Sequence, residues 1–153
     1  MNGAAGTNNN PSGIQGVCPT GWHLPSDAEW TQMENYLADN GYNYDGTTGG
    51  GIDKIAKSLT STVGWNSSSN TGAVGNTDYP AYRNKSGFTA LPGGSRSTNG
   101  PFDNIGNFGY WWSAKGSTST AYYRSMGYDY SSETSEDNRT SKKYGFSVRC
   151  IKD

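Results

Sequence analysis

The chain has 153 residues, enough for one domain with a sizeable core, and its net charge of −1 excludes the clustered basic surface that nucleic-acid binding requires. Only 31% of the residues are hydrophobic, but 5 tryptophans and 11 tyrosines supply large apolar side chains, so the composition favours a folded domain over a disordered one. No apolar run approaches the length of a membrane-spanning helix. We therefore expect no nucleic-acid partner and no membrane insertion.

Residues 1–15 are predicted to form an N-terminal loop, and residues 16–153 the domain proper. The first ten residues are small and polar, without the basic and apolar segments of a signal peptide. We therefore expect the sequence to be a fragment or a mature form that lacks its export signal.

The only two cysteines, Cys18 and Cys150, lie near opposite ends of the chain. They suggest one disulfide between the region of the first helix and the last strand, and two unrelated buried thiols are the alternative. A disulfide that closes so long a loop would stabilise the fold by about 4–5 kcal/mol on the chain-entropy account. Because cytosolic thiols are kept reduced, the disulfide also predicts an exported, extracellular domain.

Two helices are predicted in the first half of the chain. The first begins after Ser26, because Ser26 and Glu29 have the spacing of a capping box, and it ends at Gly41. Its apolar face consists of Trp30, Met33 and Leu37. The second helix is shorter and is predicted between Gly51 and about Thr60, from a stripe of four apolar residues, Ile52, Ile55, Ala56 and Leu59.

The second half of the chain has no helical periodicity. A long irregular loop, rich in Ser, Asn, Thr and Gly, is predicted from Trp65 to about Ser86. Short antiparallel strands bounded by turn residues are predicted at residues 88–91, 109–113, 121–130 and 144–151. In the last of these, Phe146, Val148 and Cys150 are expected to share a buried face. Helices followed by strands predict an α+β domain, in which two helices flank small antiparallel sheets.

Five motifs occur in order along the chain: Cys18-Pro-Thr-Gly-Trp-His-Leu-Pro-Ser26, Glu29-Trp30, Ser86-Gly-Phe-Thr-Ala-Leu-Pro-Gly-Gly94, Gly109-Tyr-Trp-Trp-Ser113 and Gly145-Phe-Ser-Val-Arg-Cys150. Together they closely resemble the Fibrobacter-type major paralogous domain (FISUMP), over about residues 16–153. The resemblance implies a secreted or surface-attached bacterial protein, often a lipoprotein. It also implies a C-type-lectin-like fold, related to that of formylglycine-generating enzymes.

In that fold the termini lie together, and a disulfide joins the first helix region to the last strand, positions that Cys18 and Cys150 fit. The family's strand upstream of the first helix is weak or missing in this sequence. The resemblance therefore also suggests that the sequence begins inside the domain.

No enzymatic activity is predicted. The single histidine, His23, comes just before the first helix, and we expect a structural role in which its ring bonds to nearby backbone. The reactive cysteines of formylglycine-generating relatives are not carried over, because Cys150 is expected in a disulfide. The carboxylates Glu133, Glu136 and Asp137 lie in a Ser-rich segment and are interpreted as solvated charges.

No cofactor and no metal ligand are assigned. The clusters of His and Cys that transition metals prefer are absent, whereas residues 76–78 and 103–107 carry oxygen-rich side chains and leave a structural calcium ion open. The Glu-Pro-Asn and Trp-Asn-Asp signatures of sugar-binding C-type lectins are missing, and Trp111-Trp112-Ser113 stands where the second would fall. Calcium-dependent sugar binding on that pattern is therefore not expected.

The most suggestive surface feature lies between residues 104 and 138, where aromatic residues are interleaved with small polar ones. Tyrosine among small polar neighbours is typical of recognition surfaces for a glycan or a protein. If Tyr123 and Met126 point inward, then Tyr122 and Asp129 are expected to point outward, and Trp111 and Trp112 are expected in the core. The candidate binding residues are Asn104, Asn107, Phe108, Tyr110, Tyr122, Tyr128, Asp129, Tyr130 and Asn138.

These inferences predict a non-catalytic, adhesin-like module of a bacterial surface or secreted protein, with an unknown glycan or protein ligand. Two other functions remain open. One is a receptor varied by a diversity-generating retroelement, because residues 104–138 are rich in the amino acids that rewritten adenine-rich codons give. The other is a structural subunit of a pilus or cell envelope.

Overall fold

The computed structural model describes residues 5–134 and 138–153. Their architecture is α+β, with two α-helices and small antiparallel sheets, as predicted. No helix within these residues is long and apolar enough to cross a membrane. The elements are β1 (Trp22–His23), α1 (Asp27–Asp39), a 3-10 helix (Gly51–Lys54), α2 (Ala56–Leu59), a second 3-10 helix (Pro80–Tyr82), β2 (Ser95–Arg96), β3 (Phe102–Asp103), β4 (Phe108–Gly116), β5 (Thr120–Gly127), β6 (Glu133–Thr134), β7 (Arg139–Ser141) and β8 (Ile151–Lys152).

Helix α1 begins and ends where the sequence predicts. The Ser26 hydroxyl accepts the Glu29 backbone N–H at 3.2 Å, and the Glu29 carboxylate accepts the Ser26 N–H at 2.9 Å, which completes the capping box. Beyond the helix, Gly41 adopts a positive φ of 74°, a conformation that favours glycine. Trp30 and Leu37 on the apolar face are buried in the core.

The predicted second helix is divided into the 3-10 helix at 51–54 and the single turn of α2. The division lies at Ile55, and the backbone N–H of the next residue, Ala56, donates to the Ser131 carbonyl at 3.1 Å. The apolar stripe nevertheless reaches the core, since Ile55, Ala56 and Leu59 are fully buried.

The centre of the fold is the antiparallel hairpin of β4 and β5. Phe108 lies opposite Gly127 and Trp112 lies opposite Tyr123, and strands β6 and β7 both pair with the other edge of β5. The strands predicted at 109–113 and 121–130 are therefore confirmed, although β5 already ends at Gly127.

The strand predicted at 88–91 is wrong, and the one predicted at 144–151 is wrong except for Ile151, which begins β8. Residues 88–91 make a single bridge, between Ala90 and Thr60. Within residues 144–151, Gly145 pairs with Arg96 of β2, and Ser147 pairs with Trp111 of β4. Because the segment contacts two different neighbours in succession, it forms no regular strand and does not alternate strictly. Val148, expected to be buried, is 36% exposed.

The hairpin has two sides, which carry different residues. Residues such as Trp111, Arg124 and Met126 face α1, and we call this the inner side. Side chains alternate along a strand, so Trp112 and Tyr123 belong to the opposite, outer side. The inward position expected for Tyr123 is therefore wrong, and that expected for Met126 is confirmed.

The two ends of the domain are joined. Strand β1 pairs with β8, and the predicted disulfide links Cys18 to Cys150, with 5.8 Å between their Cα atoms. The strand expected to be weak or missing before the first helix is present as the two residues of β1. A disulfide is typical of proteins that fold outside the cytosol.

Candidate ligand-binding site

A row of stacked aromatic rings runs along the outer side of the hairpin. The Phe108 and Tyr110 ring centroids are 5.8 Å apart, Tyr110 and Phe146 4.8 Å, and Phe146 and Trp112 4.4 Å. The planes of neighbouring rings differ by 16–31°. Most ring faces in the row are therefore covered by another ring, and the edges are left for contact with solvent.

Three tyrosines widen this row into a continuous surface. Tyr123 meets Tyr110 and Phe146 edge-on, Tyr144 lies 5.8 Å from Phe146, and Tyr130 lies 6.4 Å from Phe108 between ring centroids. Tyr130 is 53% exposed, and the other members are partly buried. We call these seven residues the aromatic face: Phe108, Tyr110, Trp112, Tyr123, Tyr130, Tyr144 and Phe146.

Backbone pairing brings the C-terminal segment into this face. The Ser147 N–H donates to the Tyr110 carbonyl at 2.9 Å, and the Trp112 N–H donates to the Ser147 carbonyl at 3.0 Å. These two bonds hold the segment parallel to β4 and place Phe146 between the rings of Tyr110 and Trp112.

A glycine makes room at the far end of the face. A Cβ atom on Gly127 would lie 2.7 Å from the Tyr130 ring and 2.8 Å from the Phe108 ring, closer than real Cβ contacts. The two rings therefore rest directly on the backbone of β5.

The hydroxyls of Tyr110 and Tyr123 keep their protons at physiological pH. Burial, and next the neighbouring Tyr123, raises the pKa of Tyr110; burial and Tyr144 raise the pKa of Tyr123. Both phenols can therefore donate a hydrogen bond as well as accept one.

Six of the nine predicted binding residues come together at the end of the hairpin. The pairing of Phe108 with Gly127 places the start of β4 beside the turn after β5, and the Tyr128 N–H donates to the Asn107 carbonyl at 2.9 Å. Asn104 lies next to this group, with its carbonyl accepting the N–H groups of Asn107 and Phe108. The six residues are Asn107, Phe108, Tyr110, Tyr128, Asp129 and Tyr130.

Two predicted residues lie elsewhere. Tyr122 is on the same side of β5 as Arg124, partly buried, with the Lys115 ammonium 4.1 Å from its ring centroid, so its expected outward position is wrong. Asn138 lies at the edge of the sheet, where its carbonyl accepts the Tyr123 N–H at 3.0 Å.

The sequence reasoning missed four members of the face, Trp112, Tyr123, Tyr144 and Phe146, and Tyr123 was expected to point inward. Trp112 was expected in the core, although its spacing of two residues from Tyr110 places both on one side of a strand. Tyr144 and Phe146 have no comparable signal, because their position depends on a pairing with β4 across more than thirty residues of chain.

The long loop also contributes polar groups to this end of the hairpin. The Asn66 amide donates to the Asn107 side-chain oxygen at 2.7 Å, and the Asn70 amide donates to the Asp129 carbonyl at 3.0 Å. The Asp129 Oδ1 atom is shielded from solvent and has no hydrogen-bond partner among the described residues. The end of the site therefore combines aromatic rings with amides and a carboxylate.

The oxygen-rich segment at residues 76–78 already binds a positively charged side chain of this protein, the Lys57 ammonium group. The fully buried Lys57 ammonium donates to the Asn76 carbonyl at 2.7 Å, to the Asp78 carbonyl at 2.9 Å and to Asp78 Oδ1 at 2.7 Å. A calcium ion there would have to displace Lys57. No group of three or more acidic, His or Cys side chains in the described residues is arranged to hold a metal ion.

The interpretation of Glu133 as a solvated charge is wrong. Glu133 is 1% exposed, and neither carboxylate oxygen has a hydrogen-bond partner among the described residues. Burial raises its pKa well above the usual value, the charge of Glu34 raises it further, and Arg124 opposes the shift. The buried site therefore favours the neutral, protonated form of Glu133. Glu136 and Asp137 lie outside the described residues.

His23 is held by side chains and not by the backbone contacts expected from the sequence. Its Nδ1 lies 2.6 Å from Asp153 Oδ1 and its Nε2 lies 2.7 Å from Glu29 Oε1. Burial lowers the pKa of His23, but the hydrogen bonds to Asp153 and Glu29 outweigh burial and raise it overall. The imidazole ring thus links α1 to Asp153, which follows β8.

No curated protein and no solved structure matches this chain. The family model described as the Fibrobacter succinogenes major domain matches residues 7–152. That match covers nearly the whole chain, including α1, the hairpin and both cysteines, and agrees with the resemblance carried by the five motifs. The chain belongs to the Fibrobacter succinogenes major domain family.

Proposed function

We propose that this domain is a non-catalytic binding module of a secreted or surface-displayed bacterial protein, with a C-type-lectin-like fold, and that the aromatic face is its recognition surface. The observation that carries the proposal is the run of seven aromatic side chains that pack mainly on one another and remain partly exposed. A contiguous exposed apolar patch is typical of an interaction site.

The composition of the face suits a specific ligand. Tyrosine presents rigid apolar area with few torsions to fix, and its hydroxyl adds a hydrogen bond. The neutral phenols of Tyr110 and Tyr123, together with the amides around Asn107, would provide polar contacts for a glycan or a protein.

Two features support the absence of catalysis in this proposal. Both ring nitrogens of His23 lie against carboxylates, so neither is available as a general base. Both cysteines of the chain are in the disulfide, so neither thiol is available as a nucleophile. The disulfide also supports an extracellular location.

The test is a binding screen of the purified domain against a glycan array and a panel of surface proteins. Tyr130→Ala removes the most exposed ring of the face and should weaken the recovered interaction about tenfold or more, as for an aromatic hot spot. Tyr36→Ala is the matched control, since Tyr36 is 60% exposed on α1 and should change the affinity less than twofold.

Equal losses in the two variants would contradict the placement of the site. The absence of any glycan or protein ligand, combined with self-association of the domain at micromolar concentration, would instead favour a structural subunit.

A diversified receptor is the second candidate, favoured by the grouping of Asn107, Tyr128, Asp129 and Tyr130 at one end of the hairpin. Deep sequencing of the gene's 3′ third in a natural population tests it. Substitutions confined to adenine positions in codons 104–138, beside a near-identical template copy, would support it, and an invariant 3′ end would exclude it.

A further inference from the structure

A cavity of about 230 Å³ opens beside the aromatic face at Trp112. Leu24, Trp112 and Val148 contribute apolar walls, and the polar lining comes from Ser113 and Lys142. The cavity has about the volume of seven or eight water molecules, which suits one small ring and excludes a large ligand.

Lys142 is the one charged side chain among the described residues that line the cavity. The Lys142 ammonium donates to the Ser117 carbonyl at 2.5 Å, and its other two protons have no partner among the described residues. Among the described residues, no acidic side chain lines the cavity. Residues 138–152 carry five basic residues and no acidic one, Arg139, Lys142, Lys143, Arg149 and Lys152.

The opening of the cavity is bordered by an apolar side chain that is exposed to solvent. Val17, which also lines it, is 73% exposed, so a branched aliphatic side chain faces solvent at the edge of a pocket. Trp112 lies against Phe146 in the stacked row and also borders the cavity. A ligand that enters would therefore meet an indole ring, exposed valine and an ammonium group together.

We infer that this cavity is a subsite for a hexuronic acid residue of an acidic glycan, with the sugar ring beside Trp112 and its carboxylate at the Lys142 ammonium. This inference rests on the proposed function, because it names a ligand class for the same outer side of the sheet. An acidic peptide side chain would supply the carboxylate but would bring no ring to the indole wall.

The test is a titration of the ¹⁵N-labelled domain with D-glucuronate and, separately, with the neutral sugar D-glucose, followed by NMR. We expect glucuronate to shift the Trp112 indole and Lys142 amide signals, and glucose to bind at least tenfold more weakly. Lys142→Met should weaken glucuronate binding about tenfold, as expected for a lost bond to a charged group, and Lys142→Arg should restore part of it. Lys143→Met is the matched control, because it removes the same charge from the exposed neighbouring residue and should change binding less than twofold.

Equal binding of glucose, an equal loss in Lys143→Met, or no shift at Trp112 would overturn the subsite. Binding of a glutamate-rich peptide in place of glucuronate would overturn the uronic acid assignment. If Tyr130→Ala abolishes binding of a screened ligand while glucuronate does not bind, the recognition surface stands and only the subsite fails. If glucuronate binds through Lys142 while Tyr130→Ala has no effect on the screened ligand, the subsite stands and the wider surface fails.

Discussion

The inner and outer sides of the β4–β5 hairpin use the same two strands in opposite ways. On the inner side, Trp111, Met126 and the fully buried Arg124 pack against α1. On the outer side, Tyr110 and Tyr123 remain partly exposed and contact mainly other aromatic rings. The difference indicates that stability depends mainly on the inner side, and it is consistent with the recognition role that we propose for the outer side.

The inner side also contains buried ion pairs, in which the loss of one charged group leaves its partner without compensation. The Arg124 guanidinium donates at 2.5 Å to Asp27 and at 2.5 Å to Glu34, and Lys115 donates to the same Asp27 carboxylate at 3.1 Å. Breaking a buried ion pair leaves a charge in a medium that solvates it poorly. Substitutions on the two sides should therefore have very different effects on the free energy of unfolding.

The largest expected effect is that of Arg124→Met, which keeps the side-chain length but removes the guanidinium from Asp27 and Glu34. We expect the free energy of unfolding to fall by about 3–5 kcal/mol. Urea denaturation measures it, with Arg139→Met on exposed Arg139 as control and a change of less than about 0.5 kcal/mol there. A loss below about 1 kcal/mol for Arg124→Met would contradict the role given to the inner side.

Removal of the disulfide should cause the next largest loss in the free energy of unfolding, and it should also disturb the packing of the aromatic rings on the outer side. The double variant Cys18→Ser, Cys150→Ser is expected to lose about 2–5 kcal/mol. Because Phe146 reaches the aromatic face from the segment that Cys150 anchors, the near-ultraviolet circular dichroism of the folded variant should also weaken. An unchanged aromatic spectrum would show that the stacked row does not depend on this anchor.

The contacts of His23, which lies outside the hairpin, predict that the stability of the fold depends on pH. Its pKa is raised in the folded state, so the folded protein holds the proton more tightly than the unfolded chain. The stabilisation is therefore fully present below the ordinary pKa of 6.5 and is lost as pH rises through the higher folded value.

The stability difference between the wild type and His23→Gln isolates this contribution from that of Glu133. It should be largest below pH 6.5 and should shrink as the pH rises above 6.5 and through the higher folded-state pKa of His23. A difference that grows with pH would contradict the ion pairs with Glu29 and Asp153.

The smallest expected effect on stability is that of Tyr130→Ala. Because the ring is more than half exposed, the free energy of unfolding should change by less than about 0.5 kcal/mol in urea denaturation. A large loss would mean that the aromatic face is part of the core and would weaken its interpretation as a recognition surface.

The sequence predicts those parts of the fold that local patterns determine. The Ser26 and Glu29 spacing predicts the start of α1, and the aromatic segment bounded by Gly109 and Ser113 predicts β4. The position of Phe146 depends on pairing with β4, and the burial of Glu133 depends on its position opposite Met126. These tertiary contacts override the local composition, which is why half of the predicted strands and the exposure of Glu133 were wrong.

In the candidate site, too, the sequence predicts what local patterns determine and misses what tertiary contacts determine. The sequence identifies Phe108, Tyr110 and Tyr130, because they lie in one aromatic and polar segment, and the hairpin brings them together. It does not identify Trp112 or the contribution of Asn66, since one was expected in the core and the other comes from a distant loop.

The most direct test of the central claim is NMR mapping of the first ligand that the binding screen recovers. Shifts of backbone and side-chain signals should be confined to the outer side, at residues such as Tyr110, Tyr123 and Tyr130. Shifts centred on the exposed surface of α1 around Tyr36, with the aromatic face unchanged, would contradict the assignment of that face as the recognition surface.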